Sequence, residues 1–97
     1  MEWAFDGEVI EWRGPAPYYF VGMPVADSAE LKEAARSLIY WGQVPVLVTL
    51  GATEFRTALF PRDGRYLLPL KDAVREAEGI GEGDVVSVRL RPGRPGD

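Results

Sequence analysis

Twice along this chain the same succession of patterns occurs: an alternating segment, a loop, an apolar segment closed by apolar-Pro-apolar, a helical stretch, a glycine and a β-branched run. Met23-Pro24-Val25 and its helical stretch lead to Val44, Val46, Val48 and Leu50; Leu68-Pro69-Leu70 and a shorter stretch lead to Val86, Val88 and Leu90. The chain reads as two ββαβ units of about fifty residues each, set against coincidence, since Pro before a helix and Val in strands are common anywhere. The expected fold is mainly β with two short helices, built from two ββαβ halves that join near Gly51.

The local patterns give the elements. Glu2 to Trp12 alternates, with Trp3, Phe5 and Val9 on one side, as a half-buried strand does. The phase slips at Val9-Ile10, and Gly7 would allow a bulge there. Arg13 to Pro17 reads as a hairpin loop, and Tyr18 to Met23 is a strand apolar on both faces, ended by Pro24. Asp27 and Glu30 have capping-box spacing before Leu31, Ala34, Ala35, Leu38 and Trp41, which predicts a helix stopped by Gly42. Val44 to Leu50 and Thr53 to Phe60 are strands, Pro61 to Gly64 is a turn, and Arg65 to Leu68 is a strand. Pro69 starts a short helix through Leu70, Val74 and Ala77 that ends at Gly79; a glycine-rich turn then leads to a last strand, Val85 to Arg91. Residues 1–91 form one domain, and 92–97 read as a disordered Pro-Gly tail. Phe5, Phe20, Leu31, Leu38, Val46, Val48, Phe55, Leu59, Val74, Val86 and Val88 fall on the apolar phase of their elements and are the expected core. At 97 residues, folding buries about 65% of the chain's surface, enough for one modest core.

Composition removes whole classes of chemistry. With no cysteine and no histidine there is no thiol nucleophile, no Ser-His or Cys-His pair and no zinc site of the usual kind. The expected chain is not an enzyme and carries no cofactor or metal. Residues 1–51 hold seven acids and three bases, whereas residues 52–97 hold eight of each, a balance opposed to nucleic acid or anionic membrane as partners. No apolar run reaches the roughly 18 residues of a membrane span, and the N-terminus alternates where a secretion signal would run apolar, so the expected location is the cytoplasm. The absence of Asn and the single Gln match the scarce amides of heat-adapted proteins, whereas a GC-rich genome would also favour the nine Arg over two Lys and the abundant Gly, Pro and Ala.

YLLPLKDAVREAEGIGEGDVVSVRL resembles the strand-Pro-helix-Gly-strand signature of AbrB and MazE type swapped-hairpin domains, which are DNA-binding dimers. The early W-x-F strand, YYFVGMP, WGQVPVLVTLGATEFRTALFP and GRYLLPLKDAVREAEGIGEGDVV together resemble the bacterial domain-of-unknown-function family nineteen-oh-five over nearly the whole chain. That resemblance implies a double-split β-barrel made from one chain, and it brings no catalytic residues.

Two surfaces stand out as candidate sites. Trp12, Arg13, Tyr18 and Tyr19 flank one loop, where aromatics beside a base can stack a planar ligand. Arg56, Arg62 and Arg65 lie on the second-half hairpin, the element AbrB-like proteins use on DNA. The carboxylates Glu2, Asp6, Glu8 and Glu11 read as a solvated strand face. Gly79 to Gly83 lacks the Gly-Lys-Ser/Thr of a phosphate loop and reads as a turn. The function expected is a small non-enzymatic binding or interaction domain for an unknown small ligand or protein, acting as a monomer or weak homodimer. The alternative is an AbrB-like DNA-binding or antitoxin-type regulator.

Overall fold

The computed structural model of the chain describes residues 1–94. Its strands are β1 (Trp3–Trp12), β2 (Tyr18–Gly22), β3 (Val44–Leu50), β4 (Thr53–Arg62), β5 (Arg65–Leu70) and β6 (Val85–Pro92). Helix α1 (Val25–Ala34) lies between β2 and β3, and helix α2 (Asp72–Glu78) between β5 and β6. The strands close into a barrel in the order β1-β2-β5-β4-β3-β6, every neighbouring pair antiparallel. The mainly β domain with two short helices is what the sequence patterns predict.

Closure depends on the two longest strands. β1 pairs with β6 from Trp3 to Glu8 and with β2 from Val9 to Trp12. β4 pairs with β3 from Thr53 to Leu59 and with β5 from Phe60 to Arg62. Each strand therefore leaves one partner for another midway, which turns the sheet back on itself. At the β1 crossing the backbone of Gly7 passes so close to β2 that an added Cβ would stand 2.5 Å from Val21 Cγ1. The expected bulge at Gly7 is absent, because Gly7 pairs in register with Val86. Nor does the phase slip: Trp3, Phe5 and Val9 are all buried, and Ile10 simply faces outward.

The interior is filled from every strand and both helices, with Leu31 and Ala35 entering from around α1 and Val74 from α2. Each side chain fully buried here is worth roughly 1.5–3 kcal/mol over leaving it exposed. Of the expected core, Phe5, Leu31, Val46, Val48, Leu59, Val74, Val86 and Val88 are buried, whereas Phe20, Leu38 and Phe55 are only half-buried. Phe20 points outward from β2, and Leu38 sits in a 3-10 turn, Arg36–Leu38, after α1 has ended.

Both helices differ in extent from the pattern reading. α1 starts at Val25, its N-cap is Pro24 at φ −52°, and no side chain caps it. Pro24 has no side-chain acceptor to offer, and the first helical hydrogen bond runs from the Ser28 N–H to the Pro24 carbonyl at 2.8 Å. Glu30 instead accepts the indole N–H of Trp3 at 3.1 Å. The expected stop at Gly42 is a turn of a different kind: Tyr40 and Gln43 exchange backbone hydrogen bonds of 3.0 and 2.7 Å around Trp41 and Gly42, both at positive φ. Two such residues between paired neighbours make a tight hairpin. Pro69 lies inside β5, paired with Phe20, and does not begin α2. It is tolerated because β4 has already turned to β3 at Leu59, so the missing N–H falls where β5 has no second partner.

Among the described residues one polar side chain, Ser28, is buried, and it ties α1 to the barrel. Its hydroxyl accepts the Tyr66 N–H at 3.0 Å and donates to the Met23 carbonyl at 3.4 Å. At the other end of the chain, β6 runs to Pro92, the Gly93 N–H donates to the Pro45 carbonyl at 2.9 Å, and Arg94 reaches the Ser37 carbonyl at 3.1 Å. Residues 92–94 of the expected tail thus lie against the barrel, and its residues 95–97 lie outside the described residues.

Candidate functional site

β2 and β5 are apolar on both faces, and the barrel can bury only one of them. Val21, Tyr66, Leu68 and Leu70 point inward, so alternation turns Tyr18, Phe20, Leu67 and Pro69 outward. β1 adds Ile10 and Trp12, and β4 adds Phe60. Tyr18 is the hub: its ring centroid lies 5.5 Å from Trp12, 5.6 Å from Phe20 and 6.0 Å from Phe60, within the range of favourable aromatic pairs. Ile10 and Trp12 remain exposed, at 38% and 39%, while Leu67 is buried beneath its neighbours. This outer face of β1, β2, β5 and β4 is open to solvent.

Beside the aromatic cluster the same face sinks into a groove of about 620 Å³. Ile10, Phe20 and Leu67 line it together with Gly22, Asp6 and Glu8 of β1, Pro24 and Val25 at the start of α1, and Arg62, Asp63 and Arg65 of the β4–β5 hairpin. The hairpin turns at Asp63 and Gly64, φ +52° and +80°, a pairing of residue types suited to a two-residue loop. Arg62 and Arg65 are thereby set opposite each other. Arg65 is anchored through Nε, which donates to the Met23 carbonyl at 2.8 Å. Its guanidinium lies over Gly22, where an added Cβ would come within 2.9 Å of it.

The seven candidate residues divide between this face and other places. Trp12, Tyr18, Arg62 and Arg65 share the outer face, which merges the two surfaces that the sequence suggested separately. Tyr19, with the opposite parity, packs against the core with the Arg75 guanidinium 3.7 Å from its ring centroid, and Arg75 in turn pairs with Asp72. The Glu11 carboxylate, directly across the β1–β2 pair, pushes the Tyr19 phenol above its usual value, with desolvation adding to the effect. Arg13 turns to Glu11 at 2.8 Å and Glu82 at 2.9 Å, and the hydrogen bond that it donates to the Glu82 carboxylate does most to raise its pKa. Arg56 lies on the part of β4 that pairs with β3, opposite Leu47, and its Nη1 donates to the Arg94 carbonyl at 3.2 Å. Three candidates, Arg13, Tyr19 and Arg56, are therefore not on the groove face.

Residues 5–90 match the family model DUF1905, a domain of unknown function. The chain belongs to this family. The match takes in both helices, the groove and all seven candidate residues, so the outer face belongs to the DUF1905 domain itself. Among curated proteins none matches the chain. Within the DUF1905 span, Ile10, Phe20, Leu67 and Gly22 are the site residues that the sequence reading missed. The signal for two of them was present: Ile10 breaks the alternation of its strand, and Phe20 shares the parity of Tyr18.

Among the described residues no three Asp or Glu side chains come together as a metal site, and no helix is long and apolar enough to cross a membrane.

Proposed function

We propose that this chain is a small non-enzymatic binding module that works through the outer face of β1, β2, β5 and β4. The observation that carries the reading is an open aromatic and aliphatic surface, Ile10, Trp12, Tyr18 and Phe20, continuous with a groove of about 620 Å³. Binding grooves combine an apolar lining with a few placed polar groups, and this one has Arg62 and Arg65 at one end and Asp6 and Glu8 among its other polar groups. The partner is a small ligand or a protein segment, and the chain acts as a monomer or weak homodimer in the cytoplasm.

The barrel belongs in this reading to the double-split kind, produced by duplication. The ring β1-β2-β5-β4-β3-β6 maps onto itself when β1, β2 and β3 exchange places with β4, β5 and β6, and the strands that change partner, β1 and β4, occupy equivalent places in the two halves. The alternative, AbrB-like DNA binding, draws on Arg62 and Arg65. It is disfavoured because Asp6, Glu8 and Asp63 share their groove and Arg56 stands elsewhere on the barrel.

Amide shift mapping by NMR with a collection of fragments and short peptides tests the reading. Perturbations centred on Ile10, Trp12, Tyr18 and Phe20 are expected. Perturbations gathered on the β3–β6 side instead would overturn it.

A further inference from the structure

We infer that the groove binds a monocarboxylate carried on an apolar body, with Arg65 as its anchor. The inference rests on the outer face being the working surface, and two separate observations carry it beyond that reading. The first is the state of Arg65. Its Nε–H is committed to the Met23 carbonyl at 2.8 Å and its plane is settled over Gly22, yet among the described residues no carboxylate comes within 4.0 Å of it. A guanidinium has five N–H donors in a rigid fork. One of them fixes the group here, and the rest present the planar edge that matches a carboxylate.

The second observation is the pairing of like charges. Arg62 stands in register directly across from Arg65, an arrangement that is unfavourable in a sheet. Asp63 reaches Arg62 only at 4.0 Å. Both arginines line the groove, so an anion seated at Arg65 also lies in the positive field of Arg62. Below them, Ile10, Phe20 and Leu67 offer an apolar floor without a further cation. Asp6 and Glu8 line the β1 side, where a second anionic group on the ligand would be repelled. The chemistry is therefore one carboxylate followed by an apolar body, not a dicarboxylate.

Phenylacetate, 2-phenylethanol and phenylene-1,4-diacetate separate these terms when titrated into the full chain with amide and Arg Nε–H shifts as the readout. Phenylacetate is expected to bind with Kd on the order of 1 mM, typical of a ligand this small, shifting Phe20, Gly22, Leu67 and the Arg65 side chain. The alcohol and the diacid should bind at least about tenfold more weakly. Arg65→Gln should lose at least about tenfold in affinity for phenylacetate and Arg62→Gln about threefold. Should Arg65→Gln fail to fold, Arg62→Gln and the comparison of acid with alcohol on the unchanged chain still decide. Equal binding of alcohol and acid, an Arg65→Gln variant that binds phenylacetate like the parent, or no shift up to about 20 mM acid would overturn the assignment. Equal binding that still maps to Phe20 and Leu67 overturns only the carboxylate, whereas shifts confined to the β3–β6 side overturn the outer-face reading as well.

Discussion

Removing the Ser28 hydroxyl tests how α1 is joined to the barrel. β2 and β5 pair Val21 with Leu68 and Gly22 with Leu67, so the next rung would join Met23 to Tyr66. Only half of that rung forms directly: the Met23 N–H donates to the Tyr66 carbonyl at 2.9 Å. In the other half Ser28 Oγ is inserted, accepting from the Tyr66 N–H and donating to the Met23 carbonyl. The hydroxyl thus takes the place of a ladder hydrogen bond just where β2 gives way to Pro24.

Ser28→Ala leaves the buried Tyr66 N–H without its acceptor, a cost of about 1–3 kcal/mol, partly offset by about 0.5 kcal/mol from the better helix propensity of alanine. The net loss of about 0.5–2.5 kcal/mol corresponds to a fall in Tm of roughly 2–20 °C in a domain of this size. Urea unfolding should show a lower midpoint at unchanged slope, and the Tyr66 amide should exchange with solvent faster than in the parent. Ser37→Ala, at an exposed position, is the control and should stay within about 0.5 kcal/mol. Direct closure of the Tyr66 N–H onto the Met23 carbonyl is the competing outcome. That carbonyl already accepts from Arg65, and closure would draw β5 toward the N-terminus of α1. A Ser28→Ala protein as stable as the parent, with Tyr66 still protected, would show that closure occurs and refute the argument.

Four further expectations follow from other parts of the barrel. Gly7→Ala should destabilise by about 1–3 kcal/mol through overpacking against Val21, and Val21→Ala in the same chain should cost less than the two single changes added together, as read by denaturant unfolding. Trp41 is 94% exposed at φ +51°, so Trp41→Asn should raise stability by about 0.5–1 kcal/mol in thermal unfolding, since it loses no burial and suits the left-handed turn; a lower Tm would contradict the strain argument. Tyr19 and the buried Tyr66 both titrate above their ordinary 10.0 in the folded chain; because the unfolded chain then gives up these protons first, their contribution is intact below about pH 10 and is lost as pH rises beyond it, and Glu11→Gln should bring the Tyr19 absorbance titration back toward its ordinary value. Mixed-sequence duplex DNA should bind no tighter than roughly 10⁻⁴ M at physiological salt, and a submicromolar mobility shift that weakens steeply with salt would restore the DNA-binding alternative.

The order of elements was legible because each carries its own local code: alternation in Trp3 to Val9, Asp63-Gly64 between two strands, and Gly79 at φ +63° closing α2. The departures arise where tertiary pairing outweighs that code. Pro69 has the local form of a helix start, and it is a strand residue because β4 has left that side of β5. Asp27 and Glu30 have the spacing of a capping box, but the helix has already begun at Val25 and Glu30 is drawn to Trp3. Gly42 has the form of a helix stop, and the chain uses it to turn a hairpin.

The outer face was half legible for a related reason. Parity within one strand states which residues share a side, but not which side becomes the interior when both are apolar. For β2 that choice falls to Gly7: its missing Cβ admits Val21 inward, and Tyr18 and Phe20 must then face out. Gly22 makes the matching choice at the groove, since only a residue without a Cβ lets the Arg65 guanidinium lie on the strand. Both glycines stand in strands at positions where no turn requires them. What they permit is close approach, of one strand to another at Gly7 and of an arginine to the backbone at Gly22.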